Sequence, residues 1–123
     1  MASEFLKRKL RQYSIDLIAT HGRTNKLPAT IIGAEHGRRR KVDCSGSPPV
    51  PMANSLNQAL IQIAPIGTKG IDNYVGCCCE VRSSNQILLA VEAPIRNIQF
   101  TNAIRPRTNQ VINRCQNCQS VFG

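Results

Sequence analysis

Cys78-Cys79-Glu80 and Cys115-Gln116-Asn117-Cys118 are the residues of this chain whose types and spacing could do chemistry. A Cys-x-x-Cys pair can grip one metal ion from the first turn of a helix. Cys78 adds a third thiol, two residues ahead of a carboxylate. Three soft ligands on Zn2+ leave a fourth position for water, and an acid that does not ligate can move protons beside it. The pattern is that of a centre for metal-assisted hydrolysis, with Cys78, Cys115 and Cys118 as ligands and Glu80 as the proton carrier.

Both motifs stand where a helix is expected to begin, and free N–H groups at a helix start stabilise a thiolate. Three thiolates on Zn2+ carry a net charge of about −1, which weakens the ion as a Lewis acid. Arg82 and Arg114, each near a ligand in the chain, are the expected charge compensation. Other readings stand beside this one. Cys44, Cys77 or Cys79 could supply a fourth thiol and close the site into a structural one. A redox Cys-x-x-Cys lacks a thioredoxin-like setting here. A disulfide scaffold is disfavoured, because adjacent thiols pair with each other only under strain.

The rest of the composition bounds what such a centre could serve. The 123 residues make one domain, and the 41% apolar content is that of a globular chain. Aromatics are only 4% and Trp is absent, so the core is aliphatic and stacking platforms are few. The net charge is +9. Basic residues gather at Lys7, Arg8, Lys9 and Arg11, at Arg38, Arg39, Arg40 and Lys41, and at Arg96, Arg105, Arg107 and Arg114. An excess of this size favours polyanions, DNA or RNA most simply. Arg38, Arg39, Arg40, Lys41, Arg105 and Arg107, in turns and loops, are the expected nucleic-acid contacts. His21 and His36 read as ordinary surface residues. No apolar run is long enough for a membrane span, and the basic N-terminus has no h-region of a signal peptide. Residues 1–5 have the look of vector-derived sequence.

Apolar spacing predicts the elements that must position the motifs. Residues 4–20 read as a helix capped by Ser3 and ended by His21-Gly22. A strand over residues 27–34, a turn at His36-Gly37 and a return strand over residues 39–44 form a hairpin. Residues 45–51 are a Pro-rich loop. A short helix capped by Asn54 or Ser55 follows, carrying Leu56, Ala59, Leu60 and Ile63, with a Gly-rich loop at residues 66–73. Residues 77–91 form a largely apolar, hence buried, helix, residues 95–104 a strand, and residues 115–122 a last short helix.

With those elements in place, the two motifs resemble the signature of the cytidine deaminase-like superfamily: His or Cys, any residue, Glu, then later Pro-Cys-x-x-Cys. The run Gly76-Cys77-Cys78-Cys79-Glu80-Val81-Arg82, with the Leu-containing helix after it, is similar to deaminase domains of bacterial polymorphic toxins, the YwqJ-like group. The resemblance spans residues 27–123, with Arg114 standing where the family has Pro. It implies an α/β fold of three layers, a mixed sheet flanked by helices, with zinc held between two helix N-termini. It also implies hydrolytic loss of ammonia from a base, the ligands and Glu80 taking the roles given above.

The expected function is therefore a zinc-dependent cytosine deaminase acting on nucleic acid. It would be the C-terminal toxin domain of a longer protein, a secreted effector at work in a target cell's cytoplasm and held in check by an immunity protein. A free-nucleoside cytidine deaminase is the runner-up, although the ribose-binding segment of those enzymes is missing and a neutral substrate does not call for +9. A zinc-stabilised binding module without catalysis is the third reading.

Overall fold

A computed structural model of the chain describes residues 2–123; Met1, part of the suspected vector-derived stretch, lies outside the described residues. The elements are α1 (Glu4–His21), β1 (Ile31–His36), β2 (Arg39–Cys44), α2 (Asn54–Ile61), α3 (Cys79–Leu88), β3 (Gln99–Phe100), β4 (Ala103–Ile104), β5 (Val111–Ile112) and α4 (Gln116–Phe122), with a 3-10 turn at Ile95–Asn97.

β1 is the axis of the molecule. It pairs with β2 on one side and with β3 and β4 on the other, and β5 closes the far edge. Side chains alternate across a strand, and both faces of β1 are covered. Ile32 packs with Cys79, and Ala34 with Ile87, on the α3 face. On the opposite face a side chain at Gly33 would come within 2.8 Å of Leu6 of α1. Residue 33 must therefore stay without a Cβ for helix and strand to approach this closely.

The sheet flanked by helices agrees with expectation, but its mixed character does not. Every pairing is antiparallel. β1 and β2 are joined by the two-residue turn Gly37-Arg38, which permits nothing else, and Gly37 takes the positive φ of 60° that such turns favour. β4 runs in the same direction as β2, but β1 lies between them.

Several boundaries move for local reasons. β1 begins after Pro28, which has no N–H for a ladder, and continues through Glu35. That carboxylate is buried yet satisfied, accepting from the backbone N–H and the hydroxyl of Ser3 and facing Arg40 Nε at 3.3 Å. Ser3 also caps α1, its Oγ accepting from Leu6 N at 3.2 Å. The strand expected over residues 95–104 breaks into the 3-10 turn and the two-residue strands β3 and β4. Between them Thr101 joins Gly33 twice, its N–H to the carbonyl and its Oγ1 accepting from the amide, both at 3.0 Å. A side chain thus substitutes for one rung of the ladder. α2 is capped at Ala53, whose N–H is taken by Asn85 Oδ1 at 2.7 Å rather than by a cap of its own helix.

The main core lies between α2, α3 and α4, around Leu56, Leu60, Val75, Val81, Val121 and Phe122. Cys78 and Cys118 belong to this cluster. Among the described residues, no helix is long and apolar enough to cross a membrane.

Candidate metal centre

Two helix starts converge at one end of β1. Cys78 is the residue that caps α3, and Cys115 the one that caps α4. Cys118 sits one turn into α4 and is fully buried. The three sulfur atoms lie within 4.8 Å of one another, with Cys78 Sγ 3.1 Å from Cys115 Sγ. All six cysteines are free. The trio could hold a metal ion.

Hydrogen bonds among the sulfurs favour a thiolate at Cys115. Cys115 is pushed down to about 2, first by the hydrogen bond from the Cys118 thiol, then by that from Cys78, with the backbone N–H groups of Cys118 and Asn117 adding to it. The other two thiols are held protonated in return: Cys78 is pushed up to about 12, chiefly by its hydrogen bond to Cys115, and Cys118 is raised for the same reason. A cluster that stabilises one thiolate at a helix start is prepared for a cation, and ligation would release the two remaining protons.

Glu80 lies in the first turn of α3 and is only 4% exposed. The thiol of Cys79 donates to its Oε1 at 3.2 Å, and Arg114 Nε lies 3.7 Å from its Oε2. Burial first, and then the Glu80 charge, keep the Cys79 thiol protonated. Cys79 is therefore a donor to the carboxylate and not a member of the sulfur trio. Arg114 is held in place from behind: it donates to the Gly123 carbonyl at 2.6 Å, and its guanidinium lies 5.0 Å from the Phe100 ring and 6.0 Å from that of Phe122.

The cations expected beside the thiolates are thus both turned to carboxylates. Arg114 faces Glu80, while Arg82 faces Asp43 at 3.5 Å and donates to the Ser47 carbonyl at 2.6 Å. Arg82 fixes the segment whose Gly46 amide binds the Cys77 carbonyl at 3.0 Å, so it positions the rim of the site rather than its charge.

Three residues that spacing did not single out build the other wall. Asp72 accepts from the Gln116 amide through both oxygens at 3.0 Å, which makes it the cap that α4 lacks in its own sequence. Asn117, buried between the two ligands of α4, accepts from Ile71 N at 2.8 Å and donates to the Asn73 carbonyl at 2.7 Å. The loop so clamped presents Asn73, whose Nδ2 donates to Cys78 Sγ at 3.6 Å. The sequence offered only the position of Asn117 between two cysteines as a hint of this role.

A cleft of about 380 Å³ opens over the centre, lined by Thr30, Asn73, Cys78, Glu80, Asn113 and Cys115 among others. Of the expected nucleic-acid contacts, Arg105 and Arg107 follow β4, whose Ile104 pairs with Ile31 at this same end of the sheet. Arg38, Arg39, Arg40 and Lys41 do not approach it. They sit on and after the hairpin turn: Arg39 pairs with His36, about 17 Å along β1 from Ile31, and Lys41 with Ala34, about 10 Å along it. Arg40 is further engaged with Glu35 and Ser3.

Comparison with known proteins gives no match: no family model, no curated protein and no solved structure is recognisably similar to this chain.

Proposed function

We propose that the chain is a zinc-dependent hydrolytic deaminase that converts cytosine to uracil in nucleic acid. The observation that carries this reading is the buried carboxylate of Glu80 beside a trio of thiols at two helix starts, both on the wall of one cleft. The donor set fits zinc. Tetrahedral Zn–S bonds of about 2.3 Å require sulfurs about 3.8 Å apart, and small side-chain adjustments reach that from a trio with Cys78 and Cys115 Sγ 3.1 Å apart and all three sulfurs within 4.8 Å of one another. Cys78, Cys115 and Cys118 would hold the ion, which when bound supplies Lewis acidity for activating water.

Glu80 would then take a proton from the attacking water. It would pass protons to the ring nitrogen and to the departing amine, so that the C–N bond breaks and ammonia leaves as the carbonyl of uracil forms. Its partners suit that work. Arg114 Nε faces one carboxylate oxygen at 3.7 Å, and the Cys79 thiol donates to the other at 3.2 Å. Against a closed four-thiol site, the Cys79 thiol donates to Glu80, and Cys44 and Cys77 are not grouped with the trio. Delivery as a toxin, with an immunity protein as partner, belongs to the same proposal through the resemblance alone.

The test is to load the chain with zinc and incubate it with a single-stranded oligonucleotide containing cytosine. Ammonia should appear in step with new uracil, and chelated protein should release none. Ammonia without uracil, or neither product from zinc-loaded protein, would count against the reading.

A further inference from the structure

The cleft over the thiols is the middle of three hollows that meet. On one side it shares Glu80, Ala103, Ile112 and Asn113 with a hollow of about 460 Å³ reaching Thr101, Asn102 and Arg114. On the other it shares one residue, Ala29, with another of about 460 Å³, walled by Thr24, Asn25, Leu27 and Pro28 and by the β4–β5 turn with Arg105 and Arg107. The β4–β5 hairpin therefore forms one wall along the whole length, from its tip at Arg105 past the centre to its base at Asn113. A pocket for a free nucleoside ends at its ligand. This one continues on both sides of Glu80.

Charge is concentrated at the hairpin-tip end. Arg23 and Lys26 do not line the hollow themselves but are chain neighbours of Thr24, Asn25 and Leu27, which do; both are exposed, as are Arg105 and Arg107. Neither residues 22–30 nor residues 105–110 contain an acid. Glu35, Asp43 and Asp72 are each engaged elsewhere. The base end instead carries exposed amides, Asn102 and Asn113. Cations for phosphates at one end and hydrogen-bonding groups for bases at the other match a single strand laid along the groove.

We infer that Arg23, Lys26, Arg105 and Arg107 form the phosphate subsite of a groove that takes an internal stretch of single-stranded nucleic acid across the centre. The direction of this strand past Glu80 rests on the deaminase reading, but the groove and its cations do not. The hairpin cluster at Arg38, Arg39 and Lys41, at the other end of β1, has no part in it.

Fluorescent single-stranded DNA and RNA of graded length, and a duplex, test this by anisotropy against salt concentration. The proteins compared are wild type, Arg23→Gln with Lys26→Gln, Arg105→Gln with Arg107→Gln, and Arg38→Gln with Arg39→Gln and Lys41→Gln. Each groove pair should weaken single-strand binding by about tenfold and lower the slope of log K against log salt by about 1.4, two phosphate contacts at 0.7 each. The hairpin variant should stay within about twofold, because it retains the groove cations. Affinity should rise with strand length beyond a mononucleotide, and the DNA and RNA series show which sugar is preferred. Equal weakening by the hairpin variant, or mononucleotide binding as tight as that of long strands, overturns the inference. Binding that follows this pattern without any deamination would leave the groove standing and remove the deaminase reading. Deamination of free cytidine that ignores both groove pairs would do the reverse.

Discussion

Glu80→Gln should abolish deamination while the protein stays folded and zinc-loaded. The amide keeps the shape of the side chain and its contact distance to Cys79 and Arg114, but it cannot accept a proton. The trio proposed to hold zinc is built from thiols, so zinc content should match wild type. General acid–base catalysis accounts for about 10²–10⁴-fold in rate, and this residue is assigned several transfers in one turnover, so the loss should lie at the upper end. Glu80→Ala should lose as much activity and also some stability, because it leaves the Arg114 guanidinium facing a buried gap. Rates and zinc content measured on the same preparations separate the two effects. If Glu80→Gln is folded, zinc-loaded and comparably active, Glu80 is not the proton carrier.

Replacing Cys118 has the second large effect, and its first consequence falls on the fold. Its sulfur is at once a member of the trio and a piece of the core shared by α2, α3 and α4. Cys118→Ser places a hydroxyl among apolar side chains and removes one of three metal ligands. Bound zinc should fall to a small fraction, and the wild-type drop in melting temperature on adding a chelator should vanish in the variant, since ligand binding to the folded state stabilises it by mass action. Cys44→Ser and Cys77→Ser are the controls, with sulfurs outside the trio. Both should bind zinc as wild type does. Loss of zinc from Cys77→Ser would mean that the register of the first motif is shifted by one residue.

The two halves of the trio were legible from the chain because each motif is local, whereas the 37-residue separation between Cys78 and Cys115 carries no such signal. Cys-x-x-Cys and Cys-x-Glu are spacings within one helical turn, and both lie where the chain leaves a loop for a helix. α1, the β1–β2 hairpin and α4 were legible for the same reason, each carrying its own periodicity or turn. The far side of the sheet was not. β4 and β5 are two residues each, too short to show alternation, and they exist because Ile104 pairs with Ile31 of β1 and with Val111 of β5. Asp72 and Asn117 escaped notice because their work is done at a distance, a carboxylate capping a helix 44 residues further on and an amide binding a loop the same distance back. The two arginines were correctly placed near the site in the chain, but whether a guanidinium meets a thiolate or a carboxylate depends on packing. Arg114 goes to Glu80 because Phe100 and Phe122 hold its plane there.

The central claim is that this centre deaminates bases, and sequencing tests it most directly. Pools of single-stranded DNA and RNA are incubated with zinc-loaded wild-type protein and, in parallel, with Glu80→Gln, then read at every position. The account predicts cytosine read as thymine, or as uracil in RNA, in the wild-type pool alone. Pools that are indistinguishable from each other and from untreated nucleic acid, with zinc bound throughout, would contradict it.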